Sequence, residues 1–557
     1  MANPFQAGLM PTAGIAALSG VVFHLSIPIR NAEFEVVMFP FIVGSCFAFL
    51  SFAWSFAQFG GYGSFGALAK TVWVAICFNT GLLTSIGVYR LVFHRLRSFP
   101  GPFWAKLTKF HAAYRASQAG QLHRERAELH KKYGDVVRVG PREVSVMRKS
   151  AVQLIYGPGT DCVKSTWYAQ AGNDHTITSL HMERNRPAHR LRRRAWDRGF
   201  STKACASYEP RIEKLADRLV EQIRETNCKP IDGTKWSMFY SFDIMGTVAF
   251  QKDFNQTTSG TEHIAIKGIH DTMGLIGVLG NTPWTLVLAS CLPGAASGFA
   301  RFFTICATIL KEKEKSYDPE ENPQDVLAFL LKAAREGDQT APPTRKALED
   351  DIRLMIVAGS ETSATTIAYQ LYYLAKCPDK QQKLREKLFE AMPGGPSTWT
   401  HAALKNVPYL DDFINETLRL KPATVLGCQR ETSEKGLRID DDIYIPPHTT
   451  VMVPMQGIQT DPRYWPEADS FVPERWGERR EEMGTDGAPF FAFCMGAHSC
   501  AGKAVAMISM RTALSKLVME FDVAFAPGED GVEFDTMEEE NFSTTCKPLQ
   551  LVFTPRS

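Results

Sequence analysis

Three long uncharged runs at the start of the chain restrict its fold before any other feature does. Residues 1–29 contain no Lys, Arg, Asp or Glu, residues 36–69 contain none, and Thr71 to Tyr89 form a third such run. Each can cross the ~30 Å hydrocarbon core of a bilayer as a helix, which satisfies its own backbone hydrogen bonds there. A cleaved signal peptide would account for the first run alone, and that run lacks a basic leader. The reading is therefore an anchor of about three spans within residues 1–97. Arg90, Arg95, Arg97, Lys106 and Lys109 follow it. Such a basic cluster marks the cytosolic side, and an odd number of spans then puts the N-terminus in the lumen.

The rest reads as one large domain. Phe99-Pro100-Gly101-Pro102 marks a stiff connector over residues 98–110. In residues 111–557, long helical patterns at Leu348 to Ala375, Pro408 to Leu420 and Lys503 to Phe521 outweigh short strands at Val136 to Gly140 and Glu143 to Met147. The expected class is mainly α with small β-sheets. With 62 basic against 60 acidic residues, nothing points to a nucleic-acid partner. Twelve cysteines without a C-x-x-C pair fit free thiols in a reducing compartment.

Chemistry concentrates in four motifs. The stretch Phe491-Ala-Phe-Cys-Met-Gly-Ala-His-Ser-Cys-Ala-Gly502 places Cys500 at the mouth of the helix starting at Lys503. Unpaired N–H groups and the helix dipole favour a thiolate there; otherwise Cys500 is a small buried hydrophobe. Gly496 and Gly502 suit a tightly bending backbone, and Phe493 is placed to shield the sulfur. A dense basic helix spans His189 to Ser201, with His189 and Arg193 four apart on one face. The long helix carries Ala358-Gly-Ser-Glu-Thr-Ser363, residues poor for helix stability. They mark either a packing contact at Gly359 or a local opening. Glu416-x-x-Arg419 and the later Pro473-Glu-Arg475 supply charges that pair on a surface or, buried, must pair with each other.

Together these motifs resemble the cytochrome P-450 superfamily. Phe493-x-x-Gly496-x-His498-x-Cys500-x-Gly502 is similar to its cysteine loop, with His498 where arginine is usual. The resemblance implies the P-450 fold, haem b with Cys500 as axial iron ligand, and Phe493 and Gly496 beneath the cofactor. It also implies contacts to haem propionates from His498, His189, Arg193 and Arg430, and proton delivery through Glu361 and Thr362 in a locally opened helix. Glu416, Arg419 and Arg475 become a buried structural triad. The implied activity is a haem monooxygenase using NADPH electrons through a reductase that docks on a basic face. It would sit in the endoplasmic reticulum membrane with the catalytic domain facing the cytosol. A reductase-independent isomerase or dehydratase, or a haem sensor, are the alternatives, and neither needs the acid–alcohol pair Glu361–Thr362. By the same resemblance, the pocket draws on Cys162 to Tyr168, Gly268 to Trp284, Ala423 to Gly427 and the turn near Phe542. These mainly apolar stretches imply a lipophilic substrate, and the anchor with Asp461-Pro-Arg-Tyr-Trp-Pro resembles filamentous-fungal members serving secondary metabolism.

Overall fold

The computed structural model describes residues 4–26, 34–169, 174–290 and 297–556; the ends of the first uncharged run, 1–3 and 27–29, lie outside the described residues. Helices α1 (Leu9–Ser26), α2 (Phe34–Phe59) and α3 (Ser64–Val88) are each long and apolar enough to cross a membrane. Leu18, Phe47 and Leu83 face outward, as lipid-facing side chains do. α1 and α3 meet backbone to backbone: a Cβ on Gly20 would lie 2.1 Å from the Phe78 carbonyl oxygen, and one on Gly81 2.0 Å from that of Ala17. Small residues at helix crossings permit such contact. His24 Nδ1 and Ser85 Oγ share a 2.8 Å hydrogen bond across the same seam.

One boundary differs from the charge pattern. Lys70, which separates the second and third runs in the sequence, lies inside α3, 3% exposed. The break falls earlier, at Gly60 to Gly63, where Gly61 turns with φ +71°. Lys70 does not end a helix because its ammonium is satisfied: it donates to the carbonyls of Phe5 (3.1 Å) and Ala7 (2.7 Å) and to the Tyr62 hydroxyl (2.7 Å).

The connector lies against the sheet. Arg138 N–H donates to Pro100 O at 2.7 Å, and its buried guanidinium donates to Arg90 O at 3.0 Å. Five strands pair in the order β1-β2-β5-β4-β3: β1 (Val136–Gly140), β2 (Glu143–Val146), β3 (Val163–Lys164), β4 (Arg430–Glu431) and β5 (Thr450–Met452). A short hairpin near the C-terminus joins β6 (Glu539–Asn541) to β7 (Ser543–Thr545). The bulk of the domain is helical, and five helices carry the site: α4 (Arg186–Gly199), α5 (Gly233–Phe250), α6 (Arg345–Lys376), α7 (Pro408–Leu420) and α8 (Lys503–Glu520). Their apolar sides meet in one core containing Tyr240, Ile356, Phe413 and Leu514.

The local opening expected in the long helix is absent. α6 runs unbroken over 32 residues, capped by the Thr344 hydroxyl, which accepts from Ala347 N–H at 3.1 Å. Thr362 Oγ1 donates to Ala358 O at 2.8 Å, a back-bond that occupies a hydroxyl without breaking the helix. Gly359 admits α5: a Cβ there would lie 2.8 Å from Met245 Cγ. A glycine penalty of about 1 kcal/mol is small beside the burial of such a helix.

α7 holds a buried ion cluster. Arg419 makes a two-pronged contact to Glu416 at 2.8 and 2.9 Å, and Arg475 Nε donates to Glu416 Oε1 at 3.0 Å. All three are 0% exposed. The remaining donors also find partners, Arg419 on the carbonyls of Gln459, Ala468 and Ser470, and Arg475 on those of Pro466 and Glu467.

Candidate active site

The cysteine loop is shaped by backbone strain. Cys494 and Gly496 both take positive φ, +54° and +64°. A side chain at Gly496 would strike Tyr156 O at 2.6 Å, so only glycine fits. Gly502, by contrast, has ordinary φ and only Phe200 near its Cβ position, at 3.9 Å. Cys500 N–H donates to Phe493 O at 2.9 Å, closing the loop. The Cys500 side chain is accessible yet deep in the molecule, so the sulfur opens onto an interior space. Burial pushes its thiol above the ordinary range, while Gly502 N–H, Arg193 and Lys503 N–H pull the other way.

α4 clamps this loop to α6. Arg193 Nη1 donates to Ser499 O at 2.7 Å, next to Cys500, and its Nε pairs with Asp197. The adjacent Arg192 points inward instead, 3.0 Å from the Asp351 carboxylate of α6. His189 and His498 form a mutual contact, Nε2 to Nδ1 at 3.3 Å with ring centroids 4.3 Å apart. Burial, then Lys164 and neighbouring cations, holds both imidazoles far below the ordinary range, so both are neutral.

Two further cations are buried beside them. Arg430 donates to Tyr168 Oη (3.3 Å) and Gln429 O (3.0 Å), and its guanidinium lies over the Tyr156 ring. Lys164 Nζ donates to the carbonyls of Leu180 (3.0 Å) and His181 (2.7 Å). Among the described residues neither pairs with a carboxylate. Burial and Arg430 together push the Lys164 ammonium well below its ordinary range. Such a pocket favours an anionic ligand.

On the other side, Glu361 is buried and accepts from Ser543 Oγ at 2.6 Å, and Thr365 Oγ1 donates to Thr544 O at 2.8 Å. Ala358 and Gly359 are exposed though α6 runs through the core, so this stretch also faces interior space. An aromatic group adjoins it: Trp167 stacks on Phe542 at 5.0 Å, and the His181 ring lies 5.2 Å from Tyr168 and 5.3 Å from Phe542. The structure thus groups Cys500, Arg193, His189 and His498 where α4 meets the cysteine loop, places Arg430 and Lys164 on paired strands, and leaves Glu361 and Thr362 adjacent on α6.

The family model for cytochrome P450 matches residues 99–553. The chain belongs to the cytochrome P450 family. A cytochrome P450 monooxygenase of Eupenicillium brefeldianum, orf5, is 39% identical over 476 residues, 86% of this chain and 94% of its own. The tryprostatin B 6-hydroxylase of Aspergillus fumigatus is 34% identical, covering 86% of this chain and 84% of its own. A cytochrome P450 crystal structure superimposes with TM-score 0.65 at 20% identity, over 78% of this chain and 94% of that one. This P450 is therefore a haem monooxygenase, of a family whose iron is held by a cysteine thiolate.

Its residues fit that cofactor. Cys500 offers a sulfur flanked by two N–H groups, and Arg430 and Lys164 are buried cations suited to carboxylates of the macrocycle. The sequence placed Lys164 only within an apolar pocket stretch, because a two-residue strand carries no pattern, and presented Arg192 as one charge among several on its basic helix.

Proposed function

We propose that this P450 inserts one oxygen atom from O₂ into a lipophilic intermediate of fungal secondary metabolism, with NADPH electrons delivered by a reductase. Its haem would be ligated by Cys500. The carrying observation is the pair of neighbouring arginines on α4. Arg192 fixes α6 through Asp351 and Arg193 fixes the cysteine loop through Ser499, so one rigid helix sets the spacing between thiol and proton-delivery helix. When bound, a haem held by a thiolate supplies reductive O–O cleavage.

The chain's own work is binding, orientation and proton control. Arg430, Lys164, Arg193, His189 and His498 would hold the carboxylates of the cofactor, and Phe493 and Gly496 would shape the loop that offers its ligand. Glu361 takes a proton from solvent and Thr362 presents a hydroxyl beside it, a general acid–base role worth about 10²–10⁴-fold. The Trp167–Phe542 stack with Tyr168 and His181 offers apolar, flat surfaces to a substrate. The hydroxylase relatives support an oxygenation rather than an isomerisation. Arg190 and Arg194 point outward on α4, forming a basic face for an acidic reductase surface. The spans and the basic cluster after Tyr89 support an endoplasmic reticulum location with the domain in the cytosol.

The test is turnover of an extract from a strain lacking this P450, with NADPH, reductase and isotopically labelled O₂. One metabolite should gain a single labelled oxygen only when NADPH is present. Conversion that needs neither NADPH nor O₂ would overturn the proposal.

A further inference from the structure

We propose that Ser543, on the C-terminal hairpin, is a positioning residue that fixes the Glu361 carboxylate beside Thr362 for proton delivery; this rests on the role given to Glu361 above. Ser543 Oγ donates to Glu361 Oε2 at 2.6 Å, and the two side chains are 3% and 5% exposed. A hydrogen bond to an ionised acceptor is short and about twice as strong as a neutral one. By donating to the charged form, Ser543 favours the carboxylate and holds one of its oxygens in place.

The hairpin is built to keep that hydroxyl still. Asn541 pairs with Ser543, leaving Phe542 alone at the tip with φ +80°. A bulky residue takes that conformation only where its surroundings impose it. Here Phe542 N–H donates to Glu540 Oε1 at 3.2 Å, and Trp167 stacks on the ring. On the other flank Thr544 N–H donates to Ala423 O at 2.9 Å, and Thr544 O accepts from Thr365 Oγ1 of α6. The hairpin is thus docked on α6 through its backbone, without help from the Ser543 hydroxyl. Removing the hydroxyl leaves the hairpin seated and takes one hydrogen bond from Glu361, which separates positioning from folding.

The test uses the full-length, haem-loaded protein. The carboxylic-acid infrared band that disappears in Glu361→Gln is followed through a pH titration, and peroxide per NADPH is measured with reductase and no added substrate. Ser543→Ala should move the band's midpoint upward by about one pH unit, the size expected for losing one hydrogen bond to a charged group. It should also raise the peroxide fraction severalfold, with the carbonyl spectrum and Tm unchanged. Ser543→Thr should restore both readouts, and Ser543→Ala should add nothing in a Glu361→Gln background. An unmoved midpoint and peroxide fraction in Ser543→Ala, where Glu361→Gln alters the peroxide fraction, would overturn the proposal. So would a full Ser543→Ala effect persisting in the Glu361→Gln background. An unaltered peroxide fraction in Glu361→Gln would overturn the underlying role of Glu361, and this proposal with it.

Discussion

Glu416 accepts from two arginines, the Trp476 indole (3.0 Å) and the Val472 N–H (2.9 Å), all in the interior. Every lone pair is used, so removing one partner strands a charge. Arg475→Ala should cost about 3–5 kcal/mol and lower haem loading, against about 0–1 kcal/mol for an exposed pair; chemical denaturation measures the difference. Asp412 behaves in the opposite sense. Burial, then Asp411 and Glu474, pushes its carboxyl up to about 7, above an unfolded value of about 3.9. Its stabilising contribution is therefore complete below that unfolded value and is lost as pH rises to about 7. Asp412→Asn should gain Tm over the parent progressively across that window and level off above it; a gain independent of pH would refute this. Thr362→Ala should keep the thiolate spectrum while peroxide per NADPH rises, because only the proton path is disturbed. At this scale Glu416 and Arg419 were legible as an i, i+3 pair. The His189–His498 contact joins residues 309 apart, and no local pattern announces it.

Among the elements, α4 matters most, because two consecutive residues carry opposed duties. Arg192 is buried against Asp351, whose carboxyl burial pushes up to about 6 in spite of that partner. Arg192→Ala leaves Asp351 without its cation and should loosen α4 from α6, losing about 3–5 kcal/mol of stability. Asp351→Asn, which keeps the shape, should lose less; equal losses would contradict the pairing. The helices themselves were plain in the sequence: α7 matches its apolar period from Pro408 to Leu420, and α8 begins at Lys503 as the cysteine loop requires. The continuity of α6 was not, because weak helix formers at Gly359 to Thr362 read as an opening. Burial of the helix, with Gly359 packed on Met245, outweighs that propensity.

Over the whole molecule, the N-terminal helices and the P450 domain are joined by polar contacts rather than a free linker. Arg138 reaches back to Arg90, and Arg95 reaches forward to His448 O at 2.9 Å. Deleting residues 1–97 should lower membrane association and also remove one acceptor of a buried guanidinium, so the truncated protein should melt below the full chain. In sealed microsomes, added protease should digest the haem domain; full protection would reverse the proposed orientation. Charge alone marked three apolar helices but misplaced the break between the second and third at Lys70, whose partners Phe5 and Ala7 are brought near by the fold. The central claim, that Cys500 is the iron ligand, is tested most directly by the carbonyl difference spectrum of the reduced full-length protein. Cys500→Ala should lose the thiolate-type Soret band, while Cys494→Ala and Cys428→Ala, which alter thiols of the same region, should retain it. A thiolate band persisting in Cys500→Ala would contradict the assignment.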